Sequence, residues 1–546
     1  MLKDLQSYLK DIDEMSKTSL NQDQKDLIKK ILNQTDEKDL DNVFQLLIQR
    51  VKLGFTFDAA PSVDSTQVAL LKKNEKLSFR GETINQNDNV LIIGENYDVL
   101  KNLIVIERLK DKSSALTAGG GTNYFDVIYI DPPYNTEAAK GDGNNLSEKD
   151  EVKASKFIYR DKFSRTGWLN MMNERLRMAR QLLAEEGVIF VSIDDTEQAY
   201  LKILMDEIFG EENFGATLSR ITKKGGGRFG NSNLQKDIDY IHVYFKNFSK
   251  VFKFKKIKND WDDYKYEDNR GKYTLKHPLD GGAGNPSYTF DVIYNGETFK
   301  PRKGKTWSFS KKRIDWLLKN DFISKNAKSI LYVKNYKDFE IVQSDDKYSI
   351  VGKENGVDWS SSRLMENIYS NSYGKIDIEQ IFKQSNFEYP KPVNLIKQLI
   401  ACCPNKNARI LDFFAGSGTT GHAVLELNRE DGGNRIFTLV TNNENNIAKK
   451  VCYERLYRIN NGIGTKKEND FDWIKKNKPY KQNLTVFDIE YYNTKIFESE
   501  ASKVRKDFVQ ELIDFGIHDA EKWATQQPRD VLINLNTLKP IKVEGE

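Results

Sequence analysis

The sequence of residues 127–134 is Val127-Ile128-Tyr129-Ile130-Asp131-Pro132-Pro133-Tyr134. Four apolar residues, with the length of a buried strand, lead directly into a polar, proline-rich segment. In open α/β sheets, ligands lie at the carboxyl ends of strands, which is where this polar segment falls. We therefore expect residues 131–134 to belong to a binding or catalytic site. A plain strand-ending turn is the alternative, because Asp and Pro are common in turns.

Apolar strands that alternate with helices recur on both sides of this stretch. Such alternation predicts an α/β fold with a doubly wound parallel sheet. Gly187 is predicted to end a helix just before the strand at 188–193. The predicted strands of this set are 90–93, 127–130, 188–193, 408–411 and 436–440.

A carboxylate beside an aromatic ring suits chemistry on an aromatic amine. The lone pair of such an amine is delocalised, and the Asp131 carboxylate with the Pro132 carbonyl can accept its N–H groups and draw the nitrogen towards tetrahedral geometry. Pro132 and Pro133 restrict the backbone, so that these acceptors lose little conformational freedom on binding. The Tyr134 ring can stack on a base that has left the duplex.

A second motif follows another predicted strand, at residues 412–420: Asp412-Phe413-Phe414-Ala415-Gly416-Ser417-Gly418-Thr419-Thr420. Its glycines allow close approach of a ligand, but the spacing differs from the GxGxxG of nicotinamide sites and no phosphate-loop lysine follows. One strand later, Glu444 offers a carboxylate suited to ribose hydroxyls. The alternatives are a tight strand–helix turn and a solvated loop acid.

Together, the two motifs resemble those of the DNA amino-methyltransferases of the β group. In that family Asp-Pro-Pro-Tyr is the catalytic motif, and Asp-x-Phe-x-Gly-Ser-Gly-Thr-Thr is the S-adenosylmethionine loop. The resemblance implies a Rossmann-like S-adenosylmethionine-dependent methyltransferase core and transfer of a methyl group to the N6 amine of a flipped-out adenine. It implies that the catalytic residues are Asp131, Pro132, Pro133 and Tyr134.

Further matches extend the resemblance across residues 85–465. Lys391 and Pro392 lie in a Tyr-Pro-Lys-Pro motif that helps to hold the methionine end of the cofactor. Glu95 and Asn96 match a Gly-Asp-Asn element, although Glu95 replaces the commoner Asp. The residues predicted to bind S-adenosylmethionine are Asp412, Phe414, Ala415, Gly416, Gly418, Thr419, Glu444, Lys391, Pro392, Glu95 and Asn96.

A narrower resemblance comes from residues 168–176, 192–195, 208–214 and 441–445. These blocks are similar to the modification subunits of type III restriction–modification systems. The resemblance implies double-stranded DNA as substrate, a homodimer, and a restriction subunit that carries the helicase and nuclease.

Residues 215–385 lose the strand–helix alternation and match no motif, as expected of a target-recognition domain. This segment includes a basic, glycine-rich loop that could follow phosphates or enter the duplex. A merely solvated loop is the alternative. The predicted DNA contacts are Asn135, Thr136, Lys223, Lys224, Arg228 and Phe229.

Five segments follow from these patterns. The inserted recognition domain splits the core in sequence, and helical N-terminal and α+β C-terminal extensions flank it. The segments are 1–80 (helical), 81–214 (core with the catalytic motif), 215–385 (target recognition), 386–468 (core with the cofactor loop) and 469–546 (C-terminal domain, a possible dimer or partner contact).

The composition excludes several classes of protein. No run approaches the roughly 18 apolar residues of a membrane span, and the first ten residues lack the apolar core of a signal peptide. A cytoplasmic location without membrane contact is expected. Four histidines and three cysteines occur without metal-ligand spacing, so no metal site is expected. The net charge of +4 does not by itself indicate nucleic acid.

Three functional alternatives stay open. The chain could be a solitary DNA methyltransferase, a cytosine-N4 methyltransferase, or mainly the DNA-recognition subunit of a nuclease complex. Asp rather than Ser at the first position of the catalytic motif disfavours cytosine. No segment resembles a helicase phosphate loop or a nuclease carboxylate cluster, so cleavage would have to come from a partner.

Overall fold

The computed structural model describes parts of all five predicted segments. The described residues are 5–14, 22–36, 40, 43–44, 47, 67–82, 88–114, 124–134, 165–223, 236–255, 264–281, 286–344, 347–352, 359–383, 390–493 and 501–539.

Among the described residues, strands and helices alternate between 89 and 209 and between 409 and 461, whereas strands predominate between 214 and 352. The strands are β1 (Gln67–Lys73), β2 (Asn89–Ile93), β3 (Phe125–Ile130), β4 (Leu183–Ile193), β5 (Phe214–Ile221), β6 (Ile238–Phe245), β7 (Tyr266–Asp268), β8 (Gly271–Thr274), β9 (Val292–Tyr294), β10 (Glu297–Phe299), β11 (Ile323–Lys325), β12 (Leu331–Val333), β13 (Asn335–Tyr336), β14 (Phe339–Ser344), β15 (Lys347–Gly352), β16 (Arg409–Asp412), β17 (Ile436–Thr441) and β18 (Leu484–Asn493). The helices are α1 (Leu5–Glu14), α2 (Gln22–Leu32), α3 (Asn96–Ser114), α4 (Arg165–Leu182), α5 (Gln198–Phe209), α6 (Lys311–Lys319), α7 (Asn371–Phe382), α8 (Val393–Ile400), α9 (Thr419–Asp431), α10 (Glu454–Asn461), α11 (Asp472–Lys476), α12 (Ala501–Asp514), α13 (Ala520–Gln526) and α14 (Pro528–Thr537).

A nine-stranded sheet is the largest sheet among the described residues. Its described strands follow the order β1-β18-β2-β17-β16-β3-β4-β6-β5. The six strands from β18 to β4 run parallel, whereas β1 is antiparallel to β18, β6 is antiparallel to β4, and β5 is antiparallel to β6. The predicted α/β fold with a parallel sheet is confirmed.

Helices cover both faces of this sheet. Successive side chains of each strand point to opposite faces, so neighbouring residues of one strand are buried under different helices. In β2, Ile92 belongs to a core that contains residues of α3, α4, α5 and α12. Its neighbour Leu91 belongs to a second core that contains residues of α8, α9 and α10. Both residues are fully buried. Burial on both faces explains why the strand sequences are continuously apolar rather than alternating.

The middle of the inserted segment has a core of its own. Strands β7–β15 form small two- and three-stranded sheets beside helix α6. Trp307, Ile314, Leu317, Phe322 and Tyr336 are buried together in this core. None of the described helices is long and apolar enough to cross a membrane.

The limits of the sheet differ from the segment limits drawn from the sequence. Strand β1 lies within the predicted N-terminal segment, β5 and β6 begin the predicted recognition segment, and β18 lies within the predicted C-terminal segment. All four lie towards the two ends of the strand order. The antiparallel ones need no crossover helix, so they fall outside the strand–helix alternation on which the limits rested.

The prediction that Gly187 ends a helix is wrong. Helix α4 ends earlier, at Leu182, and Gly187 lies inside β4. Phe125 pairs with Leu183 and Val127 with Val188, so the intervening residues of β4 form an irregularity in the ladder. A β-bulge of this kind is a common place for glycine in a strand.

Candidate active site

Four neighbouring parallel strands end at one edge of the sheet and surround a cavity. Strand β16 pairs with β17 on one side and with β3 on the other, and β17 pairs with β2. The loops after these strands line a cavity of about 160 Å³. Its walls are formed by Gly94, Glu95, Asn96, Asp131, Phe413, Phe414, Gly416, Val440, Thr441, Asn442 and Ile447. The two motifs are distant in sequence, and they meet here because their strands are neighbours.

The loop after β16 is shaped by the buried carboxylate of Asp412. This carboxylate accepts a hydrogen bond from the Phe414 amide at 3.0 Å and one from the Thr420 hydroxyl at 2.5 Å. Burial, with a smaller contribution from the charge of Asp131, raises the pKa of Asp412 to about 7. Gly416 and Gly418 have φ angles of 49° and 76°, which favour glycine. Asp412 therefore holds the loop in shape and does not itself line the cavity.

The start of helix α9 is held by a buried arginine. Arg455 is fully buried and donates to the Thr419 hydroxyl at 2.9 Å. It also donates to the Ser417 hydroxyl at 3.4 Å, and its second terminal nitrogen lies 3.3 Å from His422 Nδ1. Thr419 was predicted as a cofactor contact, and in the structure its hydroxyl belongs to this network. Arg455 was missed by the sequence analysis, since a single arginine in a helix carries no distinguishing signal.

The loop after β2 is tied to helix α4. Arg175 donates from Nη2 to a Glu95 carboxylate oxygen at 2.6 Å and from Nε to the Asn96 side-chain oxygen at 2.5 Å. The Asn96 side-chain amide in turn donates to the Phe413 carbonyl at 2.8 Å. Glu95 and Asn96 both line the cavity, as the predicted cofactor contacts would require. Phe413, at the start of the loop after β16, is thus connected to α4 through buried polar contacts.

The Asp131 carboxylate is paired with a buried lysine. Lys391 Nζ donates to both carboxylate oxygens at 2.7 Å, and the lysine side chain is only 9% exposed. The same ammonium group lies 4.8 Å from the centroid of the Tyr134 ring. Lys391 and Pro392 were predicted to hold the cofactor, yet neither lines the cavity. A buried ammonium group needs a counter-charge, and Asp131 supplies it.

Tyr134 lies against the core below this ion pair. Its ring packs against the apolar cluster that contains α4, and its hydroxyl oxygen is buried without a hydrogen-bond partner in the described part of the chain. Burial, followed by the charge of Asp131, raises the pKa of Tyr134 well above its usual value. The indole Nε1 of Trp168 donates to the Pro133 carbonyl at 2.7 Å, which fixes the backbone of the motif. Pro132 is itself buried.

The remaining predicted contacts fall outside the cavity or outside the described residues. Phe414 and Gly416 line the cavity, whereas Ala415, Gly418 and Glu444 do not. Glu444 begins a short 3-10 helix, Glu444–Asn446, which lies in the chain between the cavity-lining residues Asn442 and Ile447. Lys223 is half-buried at the end of the described range that contains β5. Asn135, Thr136, Lys224, Arg228 and Phe229 lie outside the described residues.

Comparison with protein families decides the class. The family model described as DNA methylase, which covers N6 and N4 amine methylases, matches residues 125–471. The chain belongs to the DNA methylase family. The match includes both the Asp131 motif and the Asp412 motif. A second model, of an uncharacterised conserved protein, matches residues 5–113.

Individual relatives of this methylase include type III modification subunits and enzymes named as type II methyltransferases. The Mod subunit of the type III restriction–modification enzyme StyLTI from Salmonella typhimurium is 31% identical over 400 residues, which cover 68% of this chain and 55% of that relative. The type II methyltransferase M.KpnI from Klebsiella pneumoniae is 30% identical over 401 residues, which cover 66% of this chain and 88% of that enzyme. The methylase chain thus spans little more than half the length of the StyLTI subunit.

A likeness to solved structures also exists. The M1.HpyAVI–SAM complex aligns with 65% of this chain and 94% of its own, at 11% identity and a TM-score of 0.27.

These findings confirm the expected family and enzyme class. The chain resembles type III modification subunits, and it is a DNA methyltransferase by family. Within the described ranges, no group of three or more His, Cys, Asp or Glu residues is placed to hold a metal ion.

Proposed function

We propose that this methylase transfers a methyl group from S-adenosylmethionine to the N6 amine of an adenine that has left the DNA duplex. We propose further that it is the modification and recognition subunit of a type III restriction–modification system. The observation that carries the proposal is the position of Asp131 in the wall of the cavity formed by Phe413, Phe414 and Gly416. A carboxylate at that position can bind an amine next to a bound cofactor.

The chemistry of the cavity fits the cofactor. S-adenosylmethionine carries a positive sulfonium and an ammonium group beside an apolar adenine ring. The charged side chains that line the cavity are the acids Glu95 and Asp131, and Phe413, Phe414 and Val440 supply apolar surface. Glu95, Asn96, Phe414 and Gly416 would hold the cofactor, with Asp412, Gly418 and Thr419 shaping the loop. When bound, the cofactor supplies an electrophilic methyl group.

The residues of the chain would act by binding and orienting the target amine. The Asp131 carboxylate and the Pro132 carbonyl accept its N–H groups, and the Tyr134 ring stacks on the base. Orientation of this kind can lower the activation barrier of a two-reactant step by roughly 7–11 kcal/mol. The methylated amine loses its proton after the transfer, so a strong base is not required. Pro133 and Trp168, joined by a hydrogen bond of 2.7 Å, keep the motif in place.

Adenine is favoured over cytosine by the residue at the first position of the motif. Asp131 stands where the cytosine enzymes of the family more often carry Ser, and adenine offers the larger π-face to Tyr134. Flipping a base loses a few kcal/mol of stacking that the site must recover. Digestion of DNA incubated with the protein and labelled S-adenosylmethionine, followed by mass spectrometry of nucleosides, tests the proposal. We expect N6-methyladenine. Detection of N4-methylcytosine would change the base assignment. If no nucleoside carries the label, the proposed activity is excluded.

The partners follow from the resemblance to Mod subunits. We expect double-stranded DNA as substrate, a homodimer and a restriction subunit, in the cytoplasm where the DNA lies. Asn135, Thr136, Lys223, Lys224, Arg228 and Phe229 remain the predicted DNA contacts. Co-purification of the chain with a co-expressed restriction subunit tests the assignment.

A solitary methyltransferase is the second candidate. M.KpnI is matched over 88% of its length, so a chain of this organisation is known among enzymes named as type II methyltransferases. Site-specific methylation without any retained restriction subunit would favour this candidate.

A further inference from the structure

One ammonium group contacts both of the groups that the proposed mechanism assigns to the target base. Lys391 Nζ donates to the two oxygens of Asp131 at 2.7 Å each, and it lies 4.8 Å from the centroid of the Tyr134 ring. The carboxylate is the proposed amine acceptor and the ring is the proposed stacking surface. The described structure therefore has its amine site filled by a side chain of the protein.

The ammonium group and an aromatic amine compete for the same acceptors. Both present N–H donors to a carboxylate, and both favour the face of an aromatic ring. Lys391 is 9% exposed and its charge has no other ion-pair partner among the described residues, so separation from Asp131 leaves the ammonium group without a counter-charge until its side chain moves. An amine that enters must break two charge-assisted hydrogen bonds.

The backbone on both sides of Lys391 is held in place, so separation of its ammonium group from Asp131 must come from movement of the lysine side chain. Pro390 and Pro392 flank it and fix their own φ angles. Helix α7 packs so closely that a Cβ on Gly374 would lie 1.9 Å from the Pro390 carbonyl oxygen. The Asp377 carboxylate accepts the Val393 amide at 2.8 Å on the other side. The lysine stem, in contrast, has four rotatable bonds.

We propose that Lys391 is a placeholder for the target amine: in the free enzyme it occupies the amine site, and the base displaces it. This inference rests on the proposed adenine methyltransferase function. Lys391 is then a specificity-determining residue. At a DNA site that the recognition segment binds weakly, the base does not displace Lys391 from Asp131. The sequence-based alternative is that Lys391 holds the cofactor, and the two roles make different predictions.

The experiment first maps the methylated adenine by sequencing DNA modified by the protein. 2-Aminopurine then replaces that adenine in a duplex, and its fluorescence reports the unstacked base. The intact protein is compared with Lys391→Met, Lys391→Arg and the control Lys397→Met. Lys397 lies on the neighbouring helix α8 and pairs with Glu430 at 2.6 Å. Affinity for S-adenosylmethionine is measured by calorimetry on the same proteins.

Lys391→Met is expected to raise the fluorescence at saturating protein and to raise methylation at near-target sites by about tenfold relative to the target, the effect of losing one strong competing contact. Lys391→Arg keeps the charge and a bidentate pair, so its fluorescence should stay at or below that of the unchanged protein. Lys397→Met should match the unchanged protein, and S-adenosylmethionine affinity should stay within about twofold throughout.

Three results would overturn the inference. These are loss of S-adenosylmethionine affinity with unchanged fluorescence in Lys391→Met, a fall of fluorescence in both Lys391 variants, and no change in any measurement. A crystal structure of the unchanged protein with DNA and S-adenosylhomocysteine gives a test without a variant. A base seated at Asp131 while Lys391 keeps both hydrogen bonds would exclude displacement. If no methylated base is found in the first step, the proposed function fails instead.

Discussion

Arg175 and Glu95 form a buried ion pair of 2.6 Å between helix α4 and the loop that follows β2. Arg175 is 1% exposed and Glu95 is 10% exposed at the side chain. Because Arg175 also holds Asn96, whose amide holds the Phe413 carbonyl, one guanidinium supports two loops of the cavity. Arg175 does not itself line the cavity. It positions residues that do.

Arg175→Met is expected to weaken S-adenosylmethionine binding by about tenfold or more, since Glu95 and Asn96 lose their orientation. Breaking a buried ion pair by removing one partner also destabilises a fold by about 3–5 kcal/mol. Calorimetric titration and urea denaturation measure the two effects. Arg177→Met is the control, because Arg177 is an exposed residue of the same helix that bonds only to Asn173 among the described residues. Equal cofactor affinities in the two variants would contradict the role.

The strands of the parallel sheet, though not their order, could be predicted from the sequence because buried parallel strands have a characteristic apolar composition. Runs such as Val127–Ile130 are continuously apolar, and each is followed by a helix that covers the sheet. Strand β18 could not be assigned, since its sequence Leu484–Asn493 mixes apolar, acidic and aromatic residues. Its place in the sheet depends on long-range pairing with β2 and β1, which no local pattern contains.

Asp131→Ala is expected to lower the methylation rate by at least about a hundredfold while S-adenosylmethionine binding is kept. The carboxylate is proposed to act on the amine, and its loss removes the acceptor for the N–H groups. Steady-state transfer of a labelled methyl group to DNA and cofactor calorimetry provide the two readouts. Glu430→Ala, which removes a carboxylate from the Lys397 pair, serves as the control. A variant with retained turnover would remove Asp131 from the mechanism.

Asp412 is expected to make stability depend on pH. Its folded-state pKa of about 7 lies above the ordinary value of 3.8, so the folded protein keeps a proton that the unfolded chain loses. Stability therefore falls as pH rises from 3.8 towards 7, by up to about 1.4 kcal/mol per pH unit, and then levels off. The difference in unfolding free energy between the unchanged protein and Asp412→Asn, measured from pH 5 to 8.5, should show this fall.

Asp431→Asn is the matched control for this measurement. Burial raises the pKa of Asp431, but the hydrogen bond and charge of Arg435, the Gly433 amide and the charge of Lys406 together outweigh burial and leave the pKa below its ordinary value. Its contribution to stability is present above the ordinary pKa and is lost only below it, so the same difference should be flat from pH 5 to 8.5. A flat profile for Asp412→Asn as well would show that Asp412 is ionised throughout.

The active-site geometry was only partly accessible from the sequence. Asp131 and Gly416 could be expected to lie close together, because both follow strands whose carboxyl ends bind ligands in such sheets. The pairing of Lys391 with Asp131 could not, since a motif gives the position of a lysine in the chain but not the direction of its long side chain. Arg455 is similar: its burial beside Ser417 and Thr419 is decided by the packing of α10 on α9.

The basic loop that begins at Lys223 is expected to contact DNA phosphates. Replacing Lys223, Lys224 and Arg228 by alanine should weaken binding to the methylated site and to unrelated DNA alike, because phosphate contacts carry no sequence information. The slope of log affinity against log salt is negative, and each lost contact reduces its magnitude by about 0.9. Three lost contacts would therefore reduce the magnitude by about 2.7. Fluorescence anisotropy with labelled duplexes from 50 to 200 mM salt, about the range over which such contacts lose most affinity, measures this slope. Alanine at Lys311, Lys312 and Lys319, which belong to helix α6 in the inserted segment, removes the same charge elsewhere and separates a local contact from the effect of net charge. If both triple variants reduce the slope equally, the loop has no special part in binding; if neither does, the DNA lies on another surface.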